Sequence, residues 1–390
     1  LTFWLMLSIL EVLISDLKKK GKRNMLERVP YDSKEVNNDL TYPPAREGAP
    51  PTRRFDTPVT PRENVYAFYD KNDMPLWMPL GADRRLFAPR LDADNIARAA
   101  VYDATPLTPE EIDSLAKDGH VDKHGILWKY IPQATGSIVV PGNPTLLDAN
   151  DWEKVVQFPD VDSWDWDTSI EENKSIVEPE TRALNSWIQT GLFERLIALM
   201  DFEGAAMAMI DDDQKDAVLA LYDRLADMYI DMARHYKRAY NITIFTLHDD
   251  WGSQRAPFFS LDTVMEMIVP SLSRITQAVK DLGMVFDMHS CGKNEMLVPA
   301  YIAAGVQSWS PQPMNDTFML FEQYGDKLIF PLSPDIPITA QTSEEDAVAA
   351  AKRFVAKYGP LMETKRFNAS GGFLPIYTQT LYEESRKMFS

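Results

Sequence analysis

From Asn241 to the C-terminus the chain alternates short apolar runs with longer amphipathic ones, and few folds accept that rhythm. The runs at 242–247, 284–288, 306–309, 328–332 and 366–369 have strand length and strand composition. Helical periodicity fills the gaps at 261–282, 294–304, 317–324, 344–358 and 377–388. Strands joined in this way run parallel, because a parallel pair needs a crossover and a helix supplies the commonest one. With a further strand expected at 74–80 and elements in the middle third, the pattern predicts an α/β protein built as a (β/α)8 TIM barrel. A doubly wound open sheet is the alternative, but no glycine-rich phosphate turn follows a strand here.

The remaining chain divides around that barrel. Residues 1–24 hold an apolar stretch followed by the basic run Lys18-Lys19-Lys20-Gly21-Lys22-Arg23, the reverse of a secretory signal. The apolar part is too short to cross a bilayer comfortably. We expect this leader to reflect translation assigned too far upstream. Residues 25–59, rich in proline and polar groups, read as an extended arm. Order is expected to begin at Thr60-Pro61-Arg62-Glu63, where a threonine cap, a first-turn proline and a glutamate mark a helix start. The barrel then spans 60–390, with an irregular insertion at 103–170 that includes a hairpin between 125–130 and 136–140. From 180 to 240 the periodicity is helical, most clearly where Val218, Leu221, Leu225, Met228 and Met232 recur at spacings of three and four.

Charge narrows the functional classes. A formal charge of −18 and a pI near 4.8 disfavour nucleic acid or anionic membrane as partners. One cysteine, Cys291, excludes an intramolecular disulfide framework and suits a reducing cytoplasm.

A barrel of this type carries its chemistry at the C-terminal ends of its strands. There the chain places His248-Asp249-Asp250-Trp251-Gly252-Ser253-Gln254, His289-Ser290-Cys291-Gly292, Ser310-Pro311-Gln312-Pro313, Ser333-Pro334-Asp335 and Ser370-Gly371-Gly372. His289 and Cys291, two apart in an extended segment, point to the same side. On the residues alone the pair fits a metal site, a reactive thiolate or buried packing. His120, His124 and His235 read as structural or solvent-facing.

The Asp-Asp-Trp-Gly and His-Ser-Cys-Gly segments, the Phe259-Ser260 turn, the helix containing Pro270, Thr60–Val65, Gly125–Trp128, Pro144–Leu147 and Ala304-Gly305-Val306 together resemble the uroporphyrinogen decarboxylase superfamily. The nearer likeness is to its corrinoid-dependent methyltransferase branch, over roughly 60–390. That resemblance implies a (β/α)8 barrel with a zinc ion at its mouth, held by a His-x-Cys pair that His289 and Cys291 match. The second cysteine usual in that branch is missing near 368–372, where this chain has Asn-Ala-Ser-Gly-Gly, so a carboxylate from Asp249, Asp250 or Glu203 is the expected third ligand. The implied reaction moves a methyl group between a small O-, N- or S-methyl compound, such as a methoxylated aromatic, and the cobalt of a cobalamin-type corrinoid carried by a partner protein. Asp249, Asp250 and His289 are then the expected catalytic residues, and Arg84, Gln254 and Gln312 the substrate-orienting ones. The runner-up is a cofactor-independent decarboxylase. Trp77–Leu86 resembles that branch's first-strand motif, with Arg84 matching one of its arginines and Leu80 standing where another is expected. A non-catalytic member that binds ligand or a corrinoid partner is the third reading.

Overall fold

The computed structural model describes residues 25–37, 39–44, 51–92, 102–105, 107–134, 136–177, 180–371 and 374–390; the expected leader over 1–24 lies outside them. In the arm, β1 (Thr41–Tyr42) pairs with β2 (Thr52–Arg53), and helix α1 (Pro61–Tyr69) follows. Thr60 caps α1 as its sequence predicts: its hydroxyl accepts from the Glu63 N–H, and the Glu63 carboxylate accepts from the Thr60 N–H at 2.8 Å.

The expected strand at 74–80 is absent, and the reason is local. Pro75 and Pro79 remove two backbone donors. The others find side chains: Leu76 N–H donates to Asn64 Oδ1 at 2.7 Å, Met78 N–H to Ser385 Oγ at 3.2 Å, and Leu80 N–H to Asp83 Oδ2 at 2.8 Å. The segment is buried without a ladder, and the first core strand is β3 (Arg84–Phe87).

The insertion contains α2 (Pro109–Lys117), the antiparallel strands β4 (His120–Val121), β5 (Leu127–Ile131) and β6 (Gly136–Val139), then α3 (Trp152–Val155) and α4 (Trp166–Val177). The expected hairpin is β5–β6. A buried ion pair between Asp122 and Arg195 at 2.9 Å fastens the insertion to the helix over Leu192–Ala208. Next comes β7 (Ala183–Ile188), where the periodicity had suggested helix. Leu184, Ser186 and Ile188 pack outward and are buried, while Asn185 and Trp187 alternate with them and are only half-buried. Six residues of alternation are too few to stand out beside the long helices α5 (Leu192–Ala208) and α6 (Lys215–Tyr240).

The remaining alternation forms as expected: β8 (Ile244–His248), α7 (Leu261–Met267), α8 (Val269–Asp281), β9 (Val285–Ser290), α9 (Val298–Ala303), β10 (Ser308–Pro311), α10 (Thr317–Tyr324), β11 (Phe330–Leu332), α11 (Glu344–Tyr358), β12 (Phe367–Ala369) and α12 (Pro375–Phe389). The one predicted helix over 261–282 is two, because Pro270 sits in the first turn of α8 and cannot donate to α7. The strands form a parallel five-stranded sheet of order β10-β9-β8-β7-β3 and a parallel β11–β12 pair, joined by a bridge between Ser308 and Ile329. Among the described residues no hydrogen-bonded ladder closes β12 onto β3; instead Arg84 Nη2 donates to Asn368 Oδ1 at 2.6 Å across that seam. The architecture is thus α/β with a curled parallel sheet. Among the described residues no helix is long and apolar enough to cross a membrane.

Order does not wait for Thr60. The arm packs along α12 through Arg386, which is fully buried: it bonds Glu35 at 2.8 Å and donates to the carbonyls of Val29 and Pro30. The Tyr382 hydroxyl donates to the same glutamate. Removing one partner leaves a buried charge uncompensated, which typically costs about 3–5 kcal/mol. Glu35→Ala should therefore lower stability by about that amount in urea unfolding, and Glu35→Ala/Arg386→Met should recover part of the loss. An unchanged midpoint for Glu35→Ala would show that the arm does not support the rest of the fold.

Candidate metal centre

The parallel ladder sets side chains of neighbouring strands side by side, in rows that face the inside of the curled sheet. One row is polar: Thr246 Oγ1 donates to Asn185 Oδ1 at 2.8 Å or Asp287 Oδ2 at 3.1 Å, Ser308 donates to Asp287, and Tyr69 meets Ser308 at 3.1 Å. Burial pushes the Asp287 carboxyl up to about 6, and these hydroxyls draw it partly back. Two residues further along β8 and β9 stand His248 and His289, paired in register, with rings 5.0 Å apart and 13° from parallel.

Their strand ends bring four donors together. The ligand atoms of His248, Asp250, His289 and Cys291 all lie within 4.8 Å of one another. His289 Nε2 is 3.5 Å from Cys291 Sγ, and His248 Nε2 is 3.3 Å from Asp250 Oδ1. Zinc bonds of about 2.0–2.3 Å in a tetrahedron place neighbouring donors roughly 3.3–3.8 Å apart, so two edges already have the right length. Two imidazoles, a thiol and a carboxylate are also the donor types zinc prefers.

Outer groups fix these donors. His248 Nδ1 lies 2.6 Å from Glu194 Oε2 and 2.8 Å from the Gln189 carbonyl, so its N–H is held outward and Nε2 faces the cluster. Burial pushes the Glu194 carboxyl up to about 7. Burial alone would lower His248, but the Glu194 and Asp250 carboxylates outweigh it and hold the imidazole well above the ordinary histidine range. The Cys291 N–H donates to Asp250 Oδ1 at 2.6 Å, tying the β8 and β9 loops together. Trp187 on β7 walls one side, its ring 5.6 Å from that of His248 and 5.2 Å from that of His289. Behind the cluster the loops nearly touch: at Gly292, with φ of +98°, an added Cβ would sit 2.4 Å from the Gly252 carbonyl.

Asp249, expected as a catalytic residue or ligand, is turned away from this point. Its oxygens accept from Phe193 N–H at 3.1 Å, Glu194 N–H at 2.8 Å and Trp251 Nε1 at 2.8 Å. It caps α5 from another strand, because the helix begins at Gly191, which has no side chain to do so. An added Cβ at Gly191 would meet Asp249 Cβ at 2.4 Å, so glycine is what lets the carboxylate in. Glu203, the other carboxylate considered, is exposed on α5 and is not among the clustered donors. Gln254 is exposed in the β8 loop. Gln312 accepts from the Gly292 N–H at 2.9 Å and so orients the loop of Cys291. Arg84 spans the seam to Asn368 with its guanidinium over the Tyr69 ring. Of the expected site residues, the structure gathers His289, Cys291 and Asp250.

His248, Glu194 and Trp187 were missed. His248 was visible as the last residue of a strand, but only the register of β8 against β9 makes it a neighbour of His289. Glu194 lies in a helix with nothing local to mark it. The other histidines have structural partners: His124 Nδ1 meets the Gln157 carbonyl at 2.9 Å, His235 bonds Asp162 at 2.6 Å and stacks on Trp166, and His120 pairs with Trp128 across β4 and β5.

Fold and site thus define an α/β protein with a candidate metal centre at the C-terminal ends of parallel strands. No family model matches the chain, and no curated protein does. Among solved structures it is similar to a methyltransferase from Methanosarcina mazei, at 15% identity and a TM-score of 0.50, over 85% of this chain and 99% of that one. It is also aligned with a sugar phosphate isomerase/epimerase from Parabacteroides distasonis (9% identity, 56% and 80% of the two chains, TM-score 0.30). A xylose isomerase-like TIM barrel protein from Mycobacterium smegmatis, in complex with magnesium, aligns at 10% identity over 57% and 78%, with a TM-score of 0.28. At 15% identity the likeness to the methyltransferase is one of fold.

Burial pushes the Cys291 thiol above its usual value, so without metal it is protonated at neutral pH. Metal binding needs the thiolate and releases that proton, and below the thiol pKa each pH unit raises the thiolate fraction tenfold. Apparent zinc affinity, measured by competition with a chromogenic chelator, should therefore rise about tenfold or more per unit between about pH 6 and 8. An affinity flat across this range would exclude Cys291 as a ligand.

Proposed function

We propose that this protein is a zinc-assisted methyltransferase of the uroporphyrinogen decarboxylase superfamily, built on a (β/α)8-type barrel and working with a corrinoid protein in a reducing cytoplasm. Its reaction moves a methyl group between a small O-, N- or S-methyl compound and the corrinoid cobalt. The observation that carries the reading is the cluster of His248, Asp250, His289 and Cys291 at the ends of β8 and β9. The similarity in fold to a methyltransferase over 85% of the chain supports it.

In this reading His248, His289 and Cys291 hold the metal, with His248 at the end of β8 as the third protein ligand in a chain that lacks the family's second cysteine near the last strand. Three protein ligands leave one position open, as catalytic zinc requires. Bound zinc would supply a positive charge that activates a thiol or polarises a methyl compound. Asp250, fixed by the Cys291 N–H, borders the open position and exchanges a proton with substrate. Glu194 accepts from His248 Nδ1, so Nε2 is the nitrogen that faces the metal and gives up its proton when the ion binds. Trp187 presents an apolar wall beside the histidines and limits water on that side.

The test is metal analysis of protein purified without chelator. Wild type should carry about one zinc per chain, and His248→Ala, His289→Ala and Cys291→Ala should each carry little. Wild-type protein should then change the spectrum of cob(I)alamin to that of methylcobalamin with one of a panel of methyl donors, and Cys291→Ala should not. Zinc-free, folded wild-type protein would reject the metal-centred reading.

A further inference from the structure

Cys291 lies just past the end of β9, where strand pairing no longer satisfies the backbone and each peptide group needs another partner. Two buried asparagines, Asn294 and Asn315, supply several of them. Asn294 Nδ2 donates to the Cys291 carbonyl at 2.7 Å and to Ser290 Oγ at 3.0 Å. The Asn294 N–H donates to Asn315 Oδ1 at 2.9 Å. Asn315 Nδ2 in turn donates to the Gly292 and Gln312 carbonyls, both at 2.9 Å.

The other side of the Asn294 amide meets the β8 loop, where an added Cβ at Gly252 would stand 2.2 Å from Asn294 Oδ1. The two amides thus join the loops that follow β8, β9 and β10. Gly292, directly after Cys291, has φ of +98° and is the residue type with the most backbone freedom. Its own conformation does little to fix the direction of the thiol. Without Asn315, the buried Gly292 carbonyl and Asn294 N–H lose these partners, and a turn of the loop toward water becomes the cheaper state.

We infer that Asn294 and Asn315 are positioning residues of the metal centre. Together they fix the two peptide planes that follow Cys291 and so hold Sγ 3.5 Å from His289 Nε2. On the zinc reading, on which this rests, they act through Cys291 rather than on the ion, and they prepare the site before metal arrives.

Two measurements test this together: zinc affinity by chelator competition, and the near-ultraviolet thiolate-to-metal charge-transfer band of cobalt(II)-loaded protein. Asn294→Ala, Asn315→Ala and the milder Asn315→Ser, each shown to be folded by its thermal transition, should bind zinc about tenfold or more weakly. Their cobalt forms should show a weakened thiolate band. Asn64→Ala removes an equally buried amide, one that bonds the Leu76 N–H and the Trp77 carbonyl. It should lower the thermal transition yet keep wild-type zinc affinity and the full band. Wild-type affinity and band in the folded Asn294 and Asn315 variants, or equal weakening in Asn64→Ala, would overturn the inference. Failure of all three variants to fold would overturn it too, because the amides would then support the fold rather than the ligand. A wild type without a thiolate band would instead overturn the zinc reading, and this inference with it.

Discussion

The candidate site depends on one register. β8 and β9 run parallel with Ile244 beside Val285 and His248 beside His289, so both imidazoles leave adjacent strands on the same face. Side chains alternate along a strand, and a slip of one residue would send one histidine into the outer layer against the helices. The polar row two residues back, centred on Asp287, is tied across four strands by hydroxyls and an amide, and it resists such a slip. Buried polar groups cost free energy unless they are satisfied, and a slip of one residue would break these cross-strand bonds.

From that register the rest follows outward. The β8 loop must turn at once to bring Asp250 back to the Cys291 N–H, and Gly252 and Gly292 allow the two loops to approach. Asp249, between the two site residues His248 and Asp250, faces the opposite way and caps α5. That cap sets the start of the helix and thereby carries Glu194 to His248. A carboxylate read as chemistry is thus part of the frame that positions a histidine.

Much of this is legible in the sequence alone. Strand–helix alternation after Asn241 gave the parallel architecture, since strand ends, prolines and helix caps there are all local signals. The His289–Cys291 pair was legible because both residues lie on one strand, two apart. Features depending on several strands were not. β7 hid between long helices, and residues 74–80 looked like a strand because their backbone partners, Asn64, Asp83 and Ser385, are brought in by the fold. His248 needed the β8–β9 register, and Glu194 needed the path of α5. The arm looked independent because its anchor, Arg386, lies at the far end of the sequence.

The central claim is that His248, His289 and Cys291 bind one metal ion together. X-ray absorption at the zinc edge of zinc-loaded protein tests it most directly. A shared site gives one sulfur at about 2.3 Å with nitrogen and oxygen donors at about 2.0–2.1 Å, and Cys291→Ser loses the sulfur shell. A wild-type spectrum made of nitrogen and oxygen donors alone would contradict it.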